Sequence, residues 1–244
     1  MNAPAALAHE AIYDTVQTIL AARPRSRLLD IPAGEGALAA RLVAEGFGVT
    51  AADLYPEMFC LDDVEIHRAN LDNGLPFENA SFETIVCIEG LEHIENPANA
   101  IREFSRLLLA GGTLVLSVPN IMNIEERFKW LLGGYTSHFK PLSQAALRRI
   151  ATESDYPDEV VLHVNPIGYT EVRFLLEKNA FELLAVHRDK PKANAWAFWP
   201  IAAAIRLVSQ LSSKQKREER WADELNSDEV LLGGNTLIFE ATKL

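Results

Sequence analysis

The feature that most constrains the fold is a short apolar run, a tight glycine turn and a helical pattern, in that order, between residues 27 and 45. Leu28, Leu29 and Ile31 form the apolar run, and Gly34-Glu35-Gly36 forms the turn. Glycine lets backbone come close to a ligand because it has no Cβ, and the following helix presents unpaired N–H groups at its N-terminus. The segment therefore predicts a strand, a ligand-binding turn and a helix.

Similar units follow along the chain. Further strands are predicted at residues 49–52, 65–69, 84–88, 113–118, 181–187 and 236–241. Helices are predicted within residues 5–22 and at 37–45, 97–110, 121–132, 143–153, 170–179 and 196–225. The run at 84–88 is uninterrupted, as expected for a strand that is covered on both faces. Strands that alternate with helices at this spacing predict an α/β fold with a parallel, doubly wound sheet.

Asp30 restricts the ligand of the glycine turn. This carboxylate lies four residues before the first glycine, where it would repel a pyrophosphate but would suit a cation or a row of hydroxyl and amine donors. The turn also fits the G-x-G-x-x-A dinucleotide fingerprint. A nicotinamide-dependent oxidoreductase is therefore one alternative, although it does not account for Asp30.

The 27–45 segment resembles motif I of class I S-adenosylmethionine-dependent methyltransferases, whose cofactor carries a sulfonium, an ammonium and a ribose. The resemblance covers residues 27–120 and rests on five further segments: Asp53 after the second strand, Asn70–Phe77, Ser81–Cys87, Glu89-x-x-Glu92-His93 and Ser117-Val118-Pro119-Asn120. Three residues depart from the family pattern, of which Ala110, in place of a proline after the helix, has little consequence for the site. Pro32 stands in place of a glycine, and Asn70 stands in place of an acid.

The resemblance implies a Rossmann-like methyltransferase fold: a mostly parallel seven-stranded sheet with an antiparallel C-terminal strand and helical insertions. Residues 1–244 would form a single domain, with residues 27–120 as the cofactor-binding core. Residues 121–170 and 190–225 would be variable insertions that shape the acceptor pocket or its lid. S-adenosylmethionine is the implied cofactor.

The motif positions give the implied cofactor contacts. Asp53 would accept both ribose hydroxyls, and Asn70 would meet the adenine. The complete set of expected cofactor-binding residues is Asp30, Pro32, Ala33, Gly34, Gly36, Asp53, Leu54, Asn70, Leu71, Ile88 and Glu89.

The expected catalytic residues are Glu89, His93 and His163. A histidine could act as the general base on a hydroxyl. An alternative use of Glu89, Glu92 and His93 is to hold a Mg²⁺-like ion, and a third possibility is that the acid–histidine pair only braces the loop.

Composition restricts the partners. The formal net charge is −11, which argues against a polyanionic partner, so no nucleic acid is expected. The two cysteines show no CxxC spacing, and residues 1–10 show no secretory signal. The expected location is the cytoplasm.

A second unusual segment, Ala195 to Leu211, is apolar but interrupted by Pro200 and Arg206. It is too short to span a membrane. A lid over the site, a dimer contact and a peripheral membrane contact through Trp196–Leu211 remain open.

The sequence thus predicts an S-adenosylmethionine-dependent methyltransferase, with O-methylation of a small molecule or of a lipid or glycan precursor. The alternative is a catalytically inactive S-adenosylmethionine-binding partner protein.

Overall fold

The computed structural model describes residues 4–153, 156–157 and 161–244, and its strands form one sheet. The strands are β1 Arg27–Asp30, β2 Gly48–Asp53, β3 Glu65–Arg68, β4 Phe82–Cys87, β5 Leu108–Pro119, β6 Phe181–Arg188 and β7 Thr236–Lys243. Their order across the sheet is β3-β2-β1-β4-β5-β7-β6.

The α-helices pack around this sheet. They are α1 Glu10–Ala21, α2 Ala37–Ala44, α3 Pro97–Leu107, α4 Ile124–Gly133, α5 Gln144–Glu153, α6 Tyr169–Lys178, α7 Ala195–Gln210, α8 Lys214–Glu218, α9 Ala222–Leu225 and α10 Asp228–Leu231. Short 3₁₀ turns cover Pro56–Met58 and Leu91–His93. Within the described residues, no helix is both long enough and apolar enough to cross a bilayer.

The connections in the sheet create a crevice beside β1. Asp30, the last residue of β1, pairs in parallel with Ala51 of β2 on one side and with Val86 of β4 on the other. The strand order reverses between β1 and β4, and ligands of such sheets bind at this switch, outside the carboxyl ends of the strands. Strand β7 runs antiparallel to both β5 and β6. The predicted sheet is therefore confirmed.

The two sides of the sheet bury different helices. Phe104 of α3 and Leu176 of α6 lie in the larger apolar cluster, whereas Ile12 and Val16 of α1 lie in a second cluster with Val86 of β4. The start of α3 follows from its sequence, since the Asn96 side chain accepts a hydrogen bond from Asn99 N at 3.1 Å. The two layers thus cover β1 and β4 on both faces of the sheet.

Local boundaries differ from the sequence prediction. The predicted helix continued through Leu108 to the Gly111-Gly112 pair, but α3 ends at Leu107. Leu108 instead begins β5 and pairs with Phe82 of β4, because an apolar residue can satisfy burial in either element. The predicted helical region 196–225 is divided into α7, α8 and α9.

Candidate active site

A cavity of about 590 Å³ opens at the carboxyl ends of β1, β2 and β4. It is lined by every residue of the expected cofactor set except Gly36. His93 and His163 line the same cavity. The fold thus brings together side chains that lie up to 133 positions apart in the sequence, from Asp30 to His163.

The glycine turn has two left-handed positions. Gly34 has φ +53° and Gly36 has φ +97°, which residues with a side chain rarely adopt. A Cβ on Gly36 would lie 2.8 Å from the ring of Phe59. Gly36 therefore lets the turn pack against its neighbouring loop, whereas Gly34 faces the cavity.

Asp30 is a buried carboxylate at the wall of this cavity. It is 1% exposed, and its Oδ2 has no hydrogen-bond partner among the described residues. Burial, together with the neighbouring charge of Asp53, raises the pKa of Asp30 to about 8. Because an orphaned buried oxygen is costly, the site fits a ligand that brings a cation or an N–H donor.

Asp53 ties β2 to the glycine turn. Its Oδ2 accepts from Gly34 N at 2.8 Å, and its Oδ1 accepts from Tyr55 N at 2.9 Å. Carboxylate oxygens have two lone pairs each, so Asp53 can accept further hydrogen bonds from a ligand. Its two backbone contacts fix the carboxylate in place before any ligand arrives.

The Asn70 segment forms the adjacent wall. Asn70 Oδ1 accepts from Asp72 N at 2.8 Å, which closes a local turn. Asp72 Oδ1 accepts from Asn96 N at 2.7 Å and so supports the start of α3. One oxygen of Asp72 therefore has a structural partner, which leaves Asn70 as the better candidate for contact with a ligand.

Glu89 is directed toward β5 and β7. Its backbone N donates to Ser117 Oγ at 2.9 Å, and the same hydroxyl donates to Glu89 Oε1 at 3.0 Å. Burial, with Asp189 nearby, raises the pKa of Glu89. Glu89 has φ +48°, an uncommon conformation that persists only where the surroundings hold it.

Glu92 and two histidines form a compact cluster. The ligand atoms of Glu92, His93 and His163 lie within 4.8 Å of one another. Glu92 is 0% exposed, and neither of its carboxylate oxygens has a hydrogen-bond partner among the described residues. Burial raises the pKa of Glu92 well above its ordinary value, and Glu89 adds to the effect. His163 takes the place that the sequence analysis gave to Glu89 in a metal set.

Backbone contacts explain how His163 reaches His93. The carbonyl of Glu92 accepts from Val164 N at 2.9 Å and from Asn165 N at 3.0 Å. Leu162 O lies 3.0 Å from His93 Nδ1. A carbonyl only accepts, so Nδ1 carries the proton and Nε2 presents a lone pair.

Burial keeps these imidazoles neutral. It lowers the pKa of His93. It also lowers the pKa of His163, helped by the neighbouring His93 and His138, to about 4. Both rings are therefore neutral at neutral pH, and each has a nitrogen lone pair that can accept a hydrogen bond.

Sequence reasoning missed two contributions to the site. His138 stacks on His163 with ring centroids 6.1 Å apart, and its loop is held by buried Glu126, which accepts from Ser137 N at 2.6 Å. The N-terminal segment also lines the cavity through Leu7 and Tyr13. The Ser137-His138 segment was visible as a histidine in a polar loop, whereas the N-terminal contribution left no signal in the pattern.

The two predicted insertions contribute differently to the lining of the cavity. Within residues 121–170, Val161 and His163 are lining residues. No described residue of 190–225 lines the cavity. Any role of that second insertion in the acceptor pocket therefore remains a prediction.

Residues 5–159 match the model of a protein family that is described as "Methyltransferase domain". The chain belongs to this methyltransferase family. That match spans the glycine turn, Asp53, Asn70 and the Glu89–His93 segment. The chain is a class I S-adenosylmethionine-dependent methyltransferase by family and fold.

Named relatives agree with the family. A ubiquinone biosynthesis O-methyltransferase from Psychrobacter cryohalolentis is 26% identical over 189 residues, covering 68% of this chain and 72% of that protein. One from Xanthomonas campestris pv. campestris is 33% identical over 108 residues, covering 41% of this chain and 45% of that protein.

Solved structures share the fold. An S-adenosylmethionine-dependent methyltransferase from Mesorhizobium loti has a TM-score of 0.57 at 17% identity, covering 98% of this chain and all of that one. Phosphoethanolamine N-methyltransferase 2 from Haemonchus contortus, solved with S-adenosyl-L-methionine, has a TM-score of 0.55 at 15% identity, covering 94% of this chain and 52% of that one.

Proposed function

We propose that this methyltransferase transfers the methyl group of S-adenosylmethionine to a hydroxyl oxygen of a small-molecule acceptor that carries an apolar or lipid-like substituent. The observation that carries the proposal is the pair of neutral imidazoles, His93 and His163, on the wall of the cofactor cavity. A hydroxyl acceptor must lose a proton, and an imidazole lone pair can accept it.

The expected cofactor-binding residues would each contact a different group of S-adenosylmethionine. Asp30 would receive the ammonium group on its unpartnered Oδ2. Asp53 would accept the ribose hydroxyls, and Asn70 with Leu71 would border the adenine. Pro32, Ala33, Gly34, Leu54, Ile88 and Glu89 would complete the walls.

When bound, S-adenosylmethionine would supply a methyl group that its sulfonium activates for transfer to the acceptor oxygen. Holding the nucleophile and the methyl carbon in line is the main source of acceleration. His93 Nε2 and the ring of His163 would orient the acceptor hydroxyl and take its proton. Ile94 and Val161 would keep water from the acceptor side of the cavity.

The relatives support the choice of oxygen. Two of them are named ubiquinone biosynthesis O-methyltransferases. We take from this an aromatic or lipid-linked hydroxyl compound as the first acceptor class to test, and we keep the cytoplasm as the predicted location.

A second candidate reaction uses a divalent ion in the cluster of Glu92, His93 and His163. The two unpartnered oxygens of Glu92 favour it, since a cation would satisfy them. One carboxylate and two imidazoles suit a transition metal such as Zn²⁺ or Mn²⁺ better than Mg²⁺. Such an ion would polarise the acceptor hydroxyl in place of a general base.

The test is methyl transfer from tritiated S-adenosylmethionine to catechol, 3,4-dihydroxybenzoate and alkyl catechols, with products identified by mass spectrometry. We expect an O-methyl product. His93→Gln and His163→Gln should each lower kcat by about a hundredfold or more, the usual size of a general-base contribution, without changing the affinity for the cofactor.

His67→Gln is the matched control, since His67 lies on β3 and does not line the cavity. Equal activity of the His93→Gln and wild-type enzymes would exclude both mechanisms. Activity that is lost after dialysis against a chelator and restored by Zn²⁺ or Mn²⁺ would select the metal mechanism over the general base.

A further inference from the structure

Helix α7 has apolar side chains on every side, but the described residues cover it on only one. Its sixteen residues contain a single charged side chain, Arg206. Phe198, Ala202 and Ile205 face a small cluster that also contains Ile124 of α4. A helix that is apolar all round is normally buried, so the opposite side of α7 calls for an occupant.

The uncovered side is large and includes most of the tryptophan of the chain. Trp196 is 79% exposed and Trp199 is 59% exposed. At the other end of the helix, Leu207, Val208 and Leu211 are 65%, 64% and 82% exposed.

The neighbouring α4 adds Trp130, Leu131 and Leu132, all at least 60% exposed. These eight residues are called the α4–α7 face. Three of the four tryptophans of the chain thus lie on it.

Charge indicates which occupant fits this face. Residues 206–220 contain five Lys or Arg and two Glu, and Arg206 and Arg217 of this segment pair with Asp228 and Asp223 outside it. Within the described part of the chain, Lys216 and Arg220 form no salt bridge. A basic segment beside exposed tryptophans complements a surface of anionic headgroups over hydrocarbon.

A second copy of the chain fits this face less well. A two-fold contact would bring two copies of the basic segment to one interface, where their charges repel.

We propose that the α4–α7 face docks the protein on an anionic lipid bilayer. Tryptophan rings and leucine side chains enter the interface, while the cations of residues 214–220 contact the headgroups. The face is linked to the active site, because Glu126 of α4 holds Ser137, and the adjacent His138 stacks on His163. The segment that carries His138 thus joins α4 to the histidines of the cavity.

The test uses the full chain with vesicles of phosphatidylcholine alone or mixed with phosphatidylglycerol. Cosedimentation should show binding to the mixed vesicles that weakens in high salt. The tryptophan emission should shift to the blue on binding, since three of the four rings enter the interface.

Three variants separate the contributions. Trp196→Ser combined with Trp199→Ser should weaken partitioning by about tenfold or more, equivalent to 1.4 kcal/mol. Lys216→Glu combined with Arg220→Glu should remove the preference for anionic lipid. Val43→Ser, at an exposed apolar position of α2 that is not part of the α4–α7 face, should bind like the wild type.

Methylation of a water-soluble catechol should be unchanged in all three variants, which shows that they fold and separates this proposal from the proposed reaction. Failure of the wild-type protein to cosediment with either type of vesicle would overturn the docking proposal. So would a lipid-free dimer whose formation alone shifts the tryptophan emission, because the second copy would then be the occupant.

Discussion

Replacing Asp30 with asparagine should stabilise the cofactor-free protein and should weaken the binding of the cofactor. Asp30 is buried, one of its oxygens has no partner, and its pKa is raised from 3.8 to about 8. The native state therefore binds this proton more tightly than the unfolded chain does. An asparagine keeps the shape of the side chain and cannot ionise.

The sign and size follow from this pKa. A raised carboxyl pKa means that the native state loses stability as the pH rises from the unfolded value to the folded value. Each pH unit in that window contributes about 1.4 kcal/mol. Between about pH 5 and pH 8 the advantage of Asp30→Asn should grow by on the order of 4 kcal/mol.

The assay is urea unfolding of the cofactor-free protein across that pH range, together with calorimetric titration of S-adenosylmethionine. The stability of the wild type should fall with rising pH more steeply than that of Asp30→Asn. The variant should bind the cofactor about tenfold to a hundredfold more weakly, because a charged hydrogen bond is lost.

Asp53→Asn provides the opposite case. Asp53 accepts hydrogen bonds from Gly34 N and Tyr55 N, so its replacement should destabilise the protein by about 1 kcal/mol or more at pH 5, where Asp30 is neutral. An Asp30→Asn variant that is less stable than the wild type at pH 8, or that binds the cofactor equally well, would refute the reasoning.

Three further changes test other parts of the site. Gly90→Ala should raise KM for the cofactor, because the new Cβ would lie 2.7 Å from Pro32 Cδ. Gly48→Ala is the control and should leave KM unchanged, because the nearest atom to its new Cβ is 3.7 Å away. Glu126→Gln should raise KM for the acceptor more than KM for the cofactor, since it loosens the loop that carries His138. Trimming residues 1–8 should weaken cofactor binding, measured by calorimetry, because Leu7 lines the cavity; unchanged affinity would remove this segment from the site.

Much of the fold could be predicted because the pattern is local. The apolar runs that became β1, β4 and β5 are flanked by glycine, proline and polar residues, so their existence and order follow from periodicity. The boundary at Leu108 could not be predicted, since the choice between helix and strand depends on its pairing with Phe82. That partner lies 26 positions away in the sequence.

The candidate site shows the same division. Asp30 and Asp53 are the last residues of their strands and Asn70 comes shortly after β3, so their meeting at one edge of the sheet follows from topology. The contact of His163 with His93 depends on hydrogen bonds from Val164 and Asn165 to the Glu92 carbonyl, which no short-range pattern encodes. The exposure of α7 could not be predicted either, because an apolar segment has the same sequence pattern whether other residues cover it or not.

The most direct test of the central claim is a single-turnover measurement with labelled S-adenosylmethionine and a catechol acceptor. The account predicts that the labelled methyl group appears on an acceptor oxygen in the wild-type enzyme and that His93→Gln slows this step without changing cofactor affinity. Tight cofactor binding with no transfer to any hydroxyl acceptor would contradict it and would favour a protein that only binds the cofactor.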